Sequence, residues 1–154
     1  LPIREWNDFG QRDTPYARVF ANRGANGIDG QLSTWLGATA ETPDSWGVFG
    51  DLTTLYDLAA PAMLSQVEQS GRVLVVINNG GGRIFDKLPL LSGLTGKQRE
   101  AIVQPQEVCL QSWAAMWGMD YLKIDKREGF DDFETGTKTL VVEVIPDDSQ
   151  SVEF

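Results

Sequence analysis

Histidine is absent from all 154 residues of this chain. That absence removes the Ser-His-Asp and Cys-His machineries and the commonest zinc ligand. If the chain serves catalysis, its proton transfers fall to a cofactor, a carboxylate or another polypeptide. Cysteine occurs once, at Cys109, so no disulfide framework exists. The residue is expected to pack in the interior, and a reducing cytoplasm suits such a chain. Positive charge is scarce: 13 Lys and Arg against 22 Asp and Glu leave a net charge of −9. With no basic cluster, nucleic acid and anionic membranes are poor partners. No apolar run approaches the ~20 residues that span a bilayer, and no signal peptide is visible. The acids of 125–134 and Asp147-Asp148 read as solvated surface.

What is present is an ordinary globular composition, 42% hydrophobic and 23% charged, in a length that suits one domain over residues 1–154. Strand-like and helix-like stretches alternate. Residues 18–21 form a short β-type run, and 28–36 carry helical spacing through Ile28, Leu32, Trp35 and Leu36. Residues 45–49 are a second strand. The next helix starts at Leu52, and Pro61 predicts either a kink or a helix start near Asp57. Residues 72–77 are apolar nearly throughout, as strands buried on both faces of a parallel sheet are. The long segment 86–106 reads as a functional loop with one short helix near 96–102. A helix over 108–117 points Val108, Leu110, Trp113, Ala114 and Trp117 inward. A strand at 120–124, a short helix at 128–133 and a last buried strand at 139–145 complete the pattern. The fold class is α/β: a three-layer parallel sheet with helices on both faces, Rossmann-like.

In such a sheet, chemistry concentrates at the carboxyl ends of the strands. Three of those ends carry distinctive residues: Asn22-Arg23-Gly24, Gly50-Asp51-Leu52, and Asn78-Asn79 followed by Gly80-Gly81-Gly82. A carboxylate and a carboxamide offer hard oxygen ligands to a divalent cation, and glycines let backbone approach a phosphate. With 25 residues between Leu52 and Asn78, the pair resembles the diphosphate-anchoring motif of thiamine-diphosphate enzymes, normally Gly-Asp-Gly and then Asn-Asn. Leu52 departs from that form.

Closer resemblance accounts for the departure. Leu1-Pro-Ile-Arg4, Asn22-Arg-Gly-Ala-Asn-Gly-Ile-Asp-Gly30, Ser33-Thr34, Gly50-Asp-Leu-Thr-Thr-Leu-Tyr-Asp-Leu58 and Asn78-Asn-Gly-Gly-Gly-Arg-Ile-Phe85 are similar to one family. It is the 2-succinyl-5-enolpyruvyl-6-hydroxy-3-cyclohexene-1-carboxylate synthases of menaquinone biosynthesis (MenD). The similarity covers nearly the whole chain and is strongest over 19–88. Gly80 stands where that family often has a third asparagine.

The resemblance implies a set of roles. Asp51 and Asn79 would bind Mg2+ (or Mn2+) through side-chain oxygens and Gly81 through its carbonyl. Leu52, Thr53 and Gly82 would contact the diphosphate, and Ile28 would hold thiamine diphosphate bent. Arg4 and Arg23 would bind substrate carboxylates, for which forked guanidinium donors are suited; Ile84, Phe85 and Leu88 would line the apolar side of the pocket. The implied reaction decarboxylates 2-oxoglutarate and adds the remaining carbanion to isochorismate. The glutamate that activates the cofactor belongs in this family to an N-terminal domain, so no catalytic residue is expected in this chain. The expectation is a C-terminal fragment that lacks the pyrimidine-binding and middle domains, inactive alone, and a homodimer or homotetramer when intact. A naturally separate subunit, another 2-oxoacid decarboxylase or acetohydroxyacid synthase, and a non-catalytic assembly module are the alternatives.

Overall fold

Four five-residue strands build the centre of the molecule, seen here in a computed structural model that describes residues 18–22, 27–91, 93–130 and 133–147. They are β1 (Trp46–Gly50), β2 (Val73–Ile77), β3 (Asp120–Ile124) and β4 (Leu140–Val144). All pair in parallel, in the order β1-β2-β4-β3. Gly50 pairs with Ile77, Ile77 with Val144 and Val144 with Ile124, so the four carboxyl ends lie level. The expected α/β parallel architecture is therefore present.

Alternation along each strand separates two cores. Leu74, Val76 and Val141 face a layer made by α1 (Gln31–Ala38), the 3-10 segment Ala60–Gln66 and a later helix, Leu110–Met116. Val73, Val142, Leu140 and Ile124 face the other way, toward Val75, Leu122 and Phe133. The short turn Arg127–Phe130 lies on that second face, its Gly129 against Ile124. The near-absence of polar residues in β2 and β4 follows from this double burial.

α2 (Asp51–Leu55) begins directly at the end of β1 and stops after five residues. Pro61 then sits buried at the start of the 3-10 segment, so the expected kink is a full break with a turn over 56–59. Two contacts hold that turn. The Asp57 carboxylate accepts from Ser33 N at 2.8 Å and Ser33 Oγ at 3.0 Å, which caps the first turn of α1. Leu58 O accepts from Trp113 Nε1 at 2.9 Å. The remaining helices are α3 (Lys97–Val103) and α4 (Leu110–Met116).

Three sequence expectations need correction. Residues 18–22 have no strand pairing, and Val19 and Phe20 are exposed; the apolar run finds no strand to pair with among the described residues. Ile28 and Val108 precede their helices instead of starting them, and both are exposed. Cys109 is also exposed, at the N-cap of α4. There Ser112 Oγ donates to its Sγ at 3.2 Å, and this lowers the thiol pKa.

Arg72, just before β2, is fully buried. Its Nε donates to Glu68 O at 2.7 Å, and its two terminal nitrogens donate to Thr39 Oγ1 at 2.6 Å and Thr39 O at 2.8 Å. The guanidinium also lies 5.1 Å from the Trp35 ring centre. It thus ties the end of α1 to the start of β2. Arg72→Ala strands all three acceptors and is expected to cost about 3 kcal/mol, read as a lowered urea midpoint. Arg72→Lys restores only part, because an ammonium cannot reproduce the planar fork.

Among the described residues no helix is long and apolar enough to cross a membrane.

Candidate functional site

The level strand ends place the chain segments after β1 and β2 side by side. Gly50 remains extended and Asp51 opens α2 without any intervening loop; Thr54 Oγ1, fully buried, donates back to Gly50 O at 3.0 Å. Asp51 is only 6% exposed. Its Oδ1 accepts from Leu52 N at 2.8 Å and its Oδ2 from Gly81 N at 2.6 Å. Burial pushes the Asp51 carboxyl above its ordinary pKa, against the amides of Leu52, Gly81 and Gly80, which favour the charged form. Among the described residues no basic side chain contributes to holding that charge.

After β2, Asn78 N still donates to Val144 O at 2.9 Å, one step beyond the ladder. The strand alternation turns its side chain to the helical face with Leu74 and Val76. There Asn78 Nδ2 donates to Glu143 Oε1 at 2.6 Å, and Asn78 Oδ1 accepts from Gly80 N at 3.2 Å. Glu143, buried on β4, also accepts from the Tyr121 hydroxyl. Burial first, and then the Glu143 carboxylate, hold the Tyr121 phenol well above its usual pKa, so it remains a donor. The Asn79 carboxamide has no hydrogen bond among the described residues, while Asn79 O accepts from Arg83 Nε at 3.2 Å.

The glycines follow from close approach. Gly81 has φ +118°, and a Cβ there would lie 2.6 Å from Val103 O and 2.8 Å from Gln104 O. Gly82 N donates to Val103 O at 2.6 Å. The turn 80–82 is therefore clamped between Asp51 and the last turn of α3. Beside it opens a cavity of about 150 Å³ lined by Gly80, Arg83, Arg99, Glu100, Val103 and Pro105.

Of the expected site residues, Asp51 and Gly81 are in direct contact, with Asn79 two residues away and Leu52 and Thr53 half-buried in the first turn of α2. Gly82 continues the turn into the 3-10 segment Arg83–Lys87, which carries Ile84, half-buried, and Phe85, 38% exposed; Leu88 follows, 43% exposed. Ile28 belongs to neither core cluster and is 38% exposed. Arg4 and Arg23 lie outside the described residues. The sequence reading placed Asn78 in the motif without a role of its own, and missed Tyr121 and Glu143. Its available signal was a lone acid at an inward position of an otherwise apolar strand, which demands a partner.

The donor set fits a hard divalent cation. One carboxylate, one carboxamide and a glycine carbonyl are all oxygen, and a cation would relieve a carboxylate that has no counter-charge among the described residues. Among the described residues no three His, Cys, Asp or Glu side chains cluster, so such an ion would depend on oxygens brought by its ligand.

No family model matches the chain. Curated relatives do. A 2-succinyl-5-enolpyruvyl-6-hydroxy-3-cyclohexene-1-carboxylate synthase from Akkermansia muciniphila is 47% identical over 100% of this chain. Synthases of the same name from Bdellovibrio bacteriovorus and a Roseiflexus species are 45% and 36% identical over 80% and 84% of it. The chain spans 29%, 22% and 22% of the lengths of these three relatives. Along its whole length, and as a domain-sized segment of those longer proteins, the chain belongs to the 2-succinyl-5-enolpyruvyl-6-hydroxy-3-cyclohexene-1-carboxylate synthase family.

Proposed function

We propose that this chain is the diphosphate-binding domain of a thiamine-diphosphate-dependent synthase that consumes 2-oxoglutarate and isochorismate. The observation that carries the reading is the buried Asp51 carboxylate 2.6 Å from Gly81 N, joining the ends of two adjacent parallel strands. Asp51, Asn79 and the Gly81 carbonyl would hold Mg2+ or Mn2+; the Leu52, Thr53 and Gly82 backbone and the Thr53 hydroxyl would face the diphosphate. When bound, thiamine diphosphate supplies carbanion chemistry next to a carbonyl. This chain's part is to anchor and orient. Ile28 would press the cofactor into its bent shape, Arg4 and Arg23 would fix substrate carboxylates, and Ile84, Phe85 and Leu88 would exclude water from the reacting end.

Proton transfer to activate the cofactor would come from a glutamate on a pyrimidine-binding domain. That domain and a middle domain would complete the working protein as a homodimer or homotetramer, in the cytoplasm. The chain alone is expected to show no turnover.

Calorimetric titration with thiamine diphosphate, with and without Mg2+, tests the reading, run on this chain and on a polypeptide that adds the other two domains. The expected result is binding that requires Mg2+. Binding of equal strength without the metal would count against the site.

A further inference from the structure

The Asn-Asn pair divides its labour between a side chain that is fixed and one that is not. Asn78 is bonded on both sides of its carboxamide, whereas Asn79 has no hydrogen bond to its side chain among the described residues. The fixing group is Glu143, which is 7% exposed. On the β2 side a valine would suit that place, since Val141 precedes it on the same face and its register partner is Val76; on the β3 side its register partner is Lys123. A carboxylate is costly there, and both of its oxygens are engaged: Oε1 by Asn78 Nδ2, Oε2 by the Tyr121 hydroxyl. From Tyr121 on β3, through Glu143 on β4, to Asn78 after β2, the links end at the amide of Gly80, whose neighbour Gly81 contacts Asp51.

We infer that Glu143 and Tyr121 are positioning residues that act through Asn78, setting the 79–82 turn so that the Asn79 carboxamide and Gly81 carbonyl face a cation beside Asp51. The inference rests on the diphosphate-site reading above. Its logic is that of outer-shell partners at metal sites, which fix the ligands they do not themselves replace.

The test compares variants of this chain in Mg2+-dependent titration with thiamine diphosphate, together with amide exchange at residues 80–82 followed by NMR. Asn78→Asp sets a second carboxylate against Glu143. It should weaken binding roughly 10- to 100-fold and speed exchange in the turn. Adding Glu143→Gln to that variant should restore both readouts, because the new carboxamide can donate to the new carboxylate and still accept from Tyr121. Tyr121→Phe, which deletes one oxygen and keeps the packing, should weaken binding about threefold. Three results would overturn the inference. In the first, Asn78→Asp and Tyr121→Phe bind as wild type does while Asp51→Ala has lost binding; the site then stands without the bracket. In the second, the double variant recovers slow exchange in the turn but not affinity. In the third, wild type and Asp51→Ala are alike in lacking Mg2+ dependence, which removes the site itself and the bracket with it.

Discussion

Asp51→Ala is expected to abolish Mg2+-dependent binding of thiamine diphosphate, a loss of at least about 100-fold, the upper end of what a mere outer-shell change costs. Synthase activity of a polypeptide carrying all three domains should vanish with it. Stability should barely move. Alanine strands the amides of Leu52 and Gly81, which now donate at 2.8 and 2.6 Å, but it also removes a carboxylate whose ionisation burial opposes. The two effects are of similar size and opposite sign, leaving a net change of about 1 kcal/mol or less. Asp51→Asn sharpens the comparison. It keeps the shape and one acceptor but not the charge, so it should fold as well as alanine and bind the metal as poorly. Thermal melts and titration on the same preparations check both halves. Retained metal dependence in Asp51→Ala would sink the proposed site.

Gly81→Ala should be severely damaging for a single added methyl group. The residue sits at φ +118°, where side chains rarely go, and the added carbon would meet the backbone oxygens of Val103 and Gln104 at 2.6 and 2.8 Å. Backbone cannot swing aside as a flexible side chain does. Conformational strain alone costs on the order of 1–3 kcal/mol, and the clash must push the turn off α3 or away from Asp51. The expected outcome is a loss of about 3 kcal/mol or more in urea unfolding, with metal-dependent binding lost as well. Gly80 is the control. It has φ +76°, but a Cβ added there would meet nothing within 4 Å. Gly80→Asn, which supplies the residue often found there in the family, should therefore cost less than about 1 kcal/mol. Equal effects at the two glycines would show that close approach is not what Gly81 provides.

How far the sequence could be read depended on the range of the interaction. β2 was legible because a strand covered on both faces needs only apolar residues, and the three other paired strands fall within a residue or so of their expected ends. The meeting of Asp51 with Gly81 was foreseeable because the sheet brings consecutive strand ends together. Residues 18–21 misled, since β-type composition says nothing about whether a neighbouring strand is available. Val108 and Cys109 were expected inside but lie just ahead of α4, where the chain has not yet begun to turn its apolar side inward. The Asn78–Glu143 contact spans 65 positions, and no local pattern announces it. Arg72 looked like the polar start of a strand, and only the structure shows its guanidinium closed over by Thr39, Glu68 and Trp35.

The bond between Gly82 N and Val103 O, 2.6 Å long, has a consequence for how this protein can vary. It pins the two ends of the intervening stretch, 83–102, to each other. Lengthening such a stretch costs only slowly growing loop entropy. An engineer can therefore lengthen the stretch without disturbing the Asp51–Gly81 contact at its base.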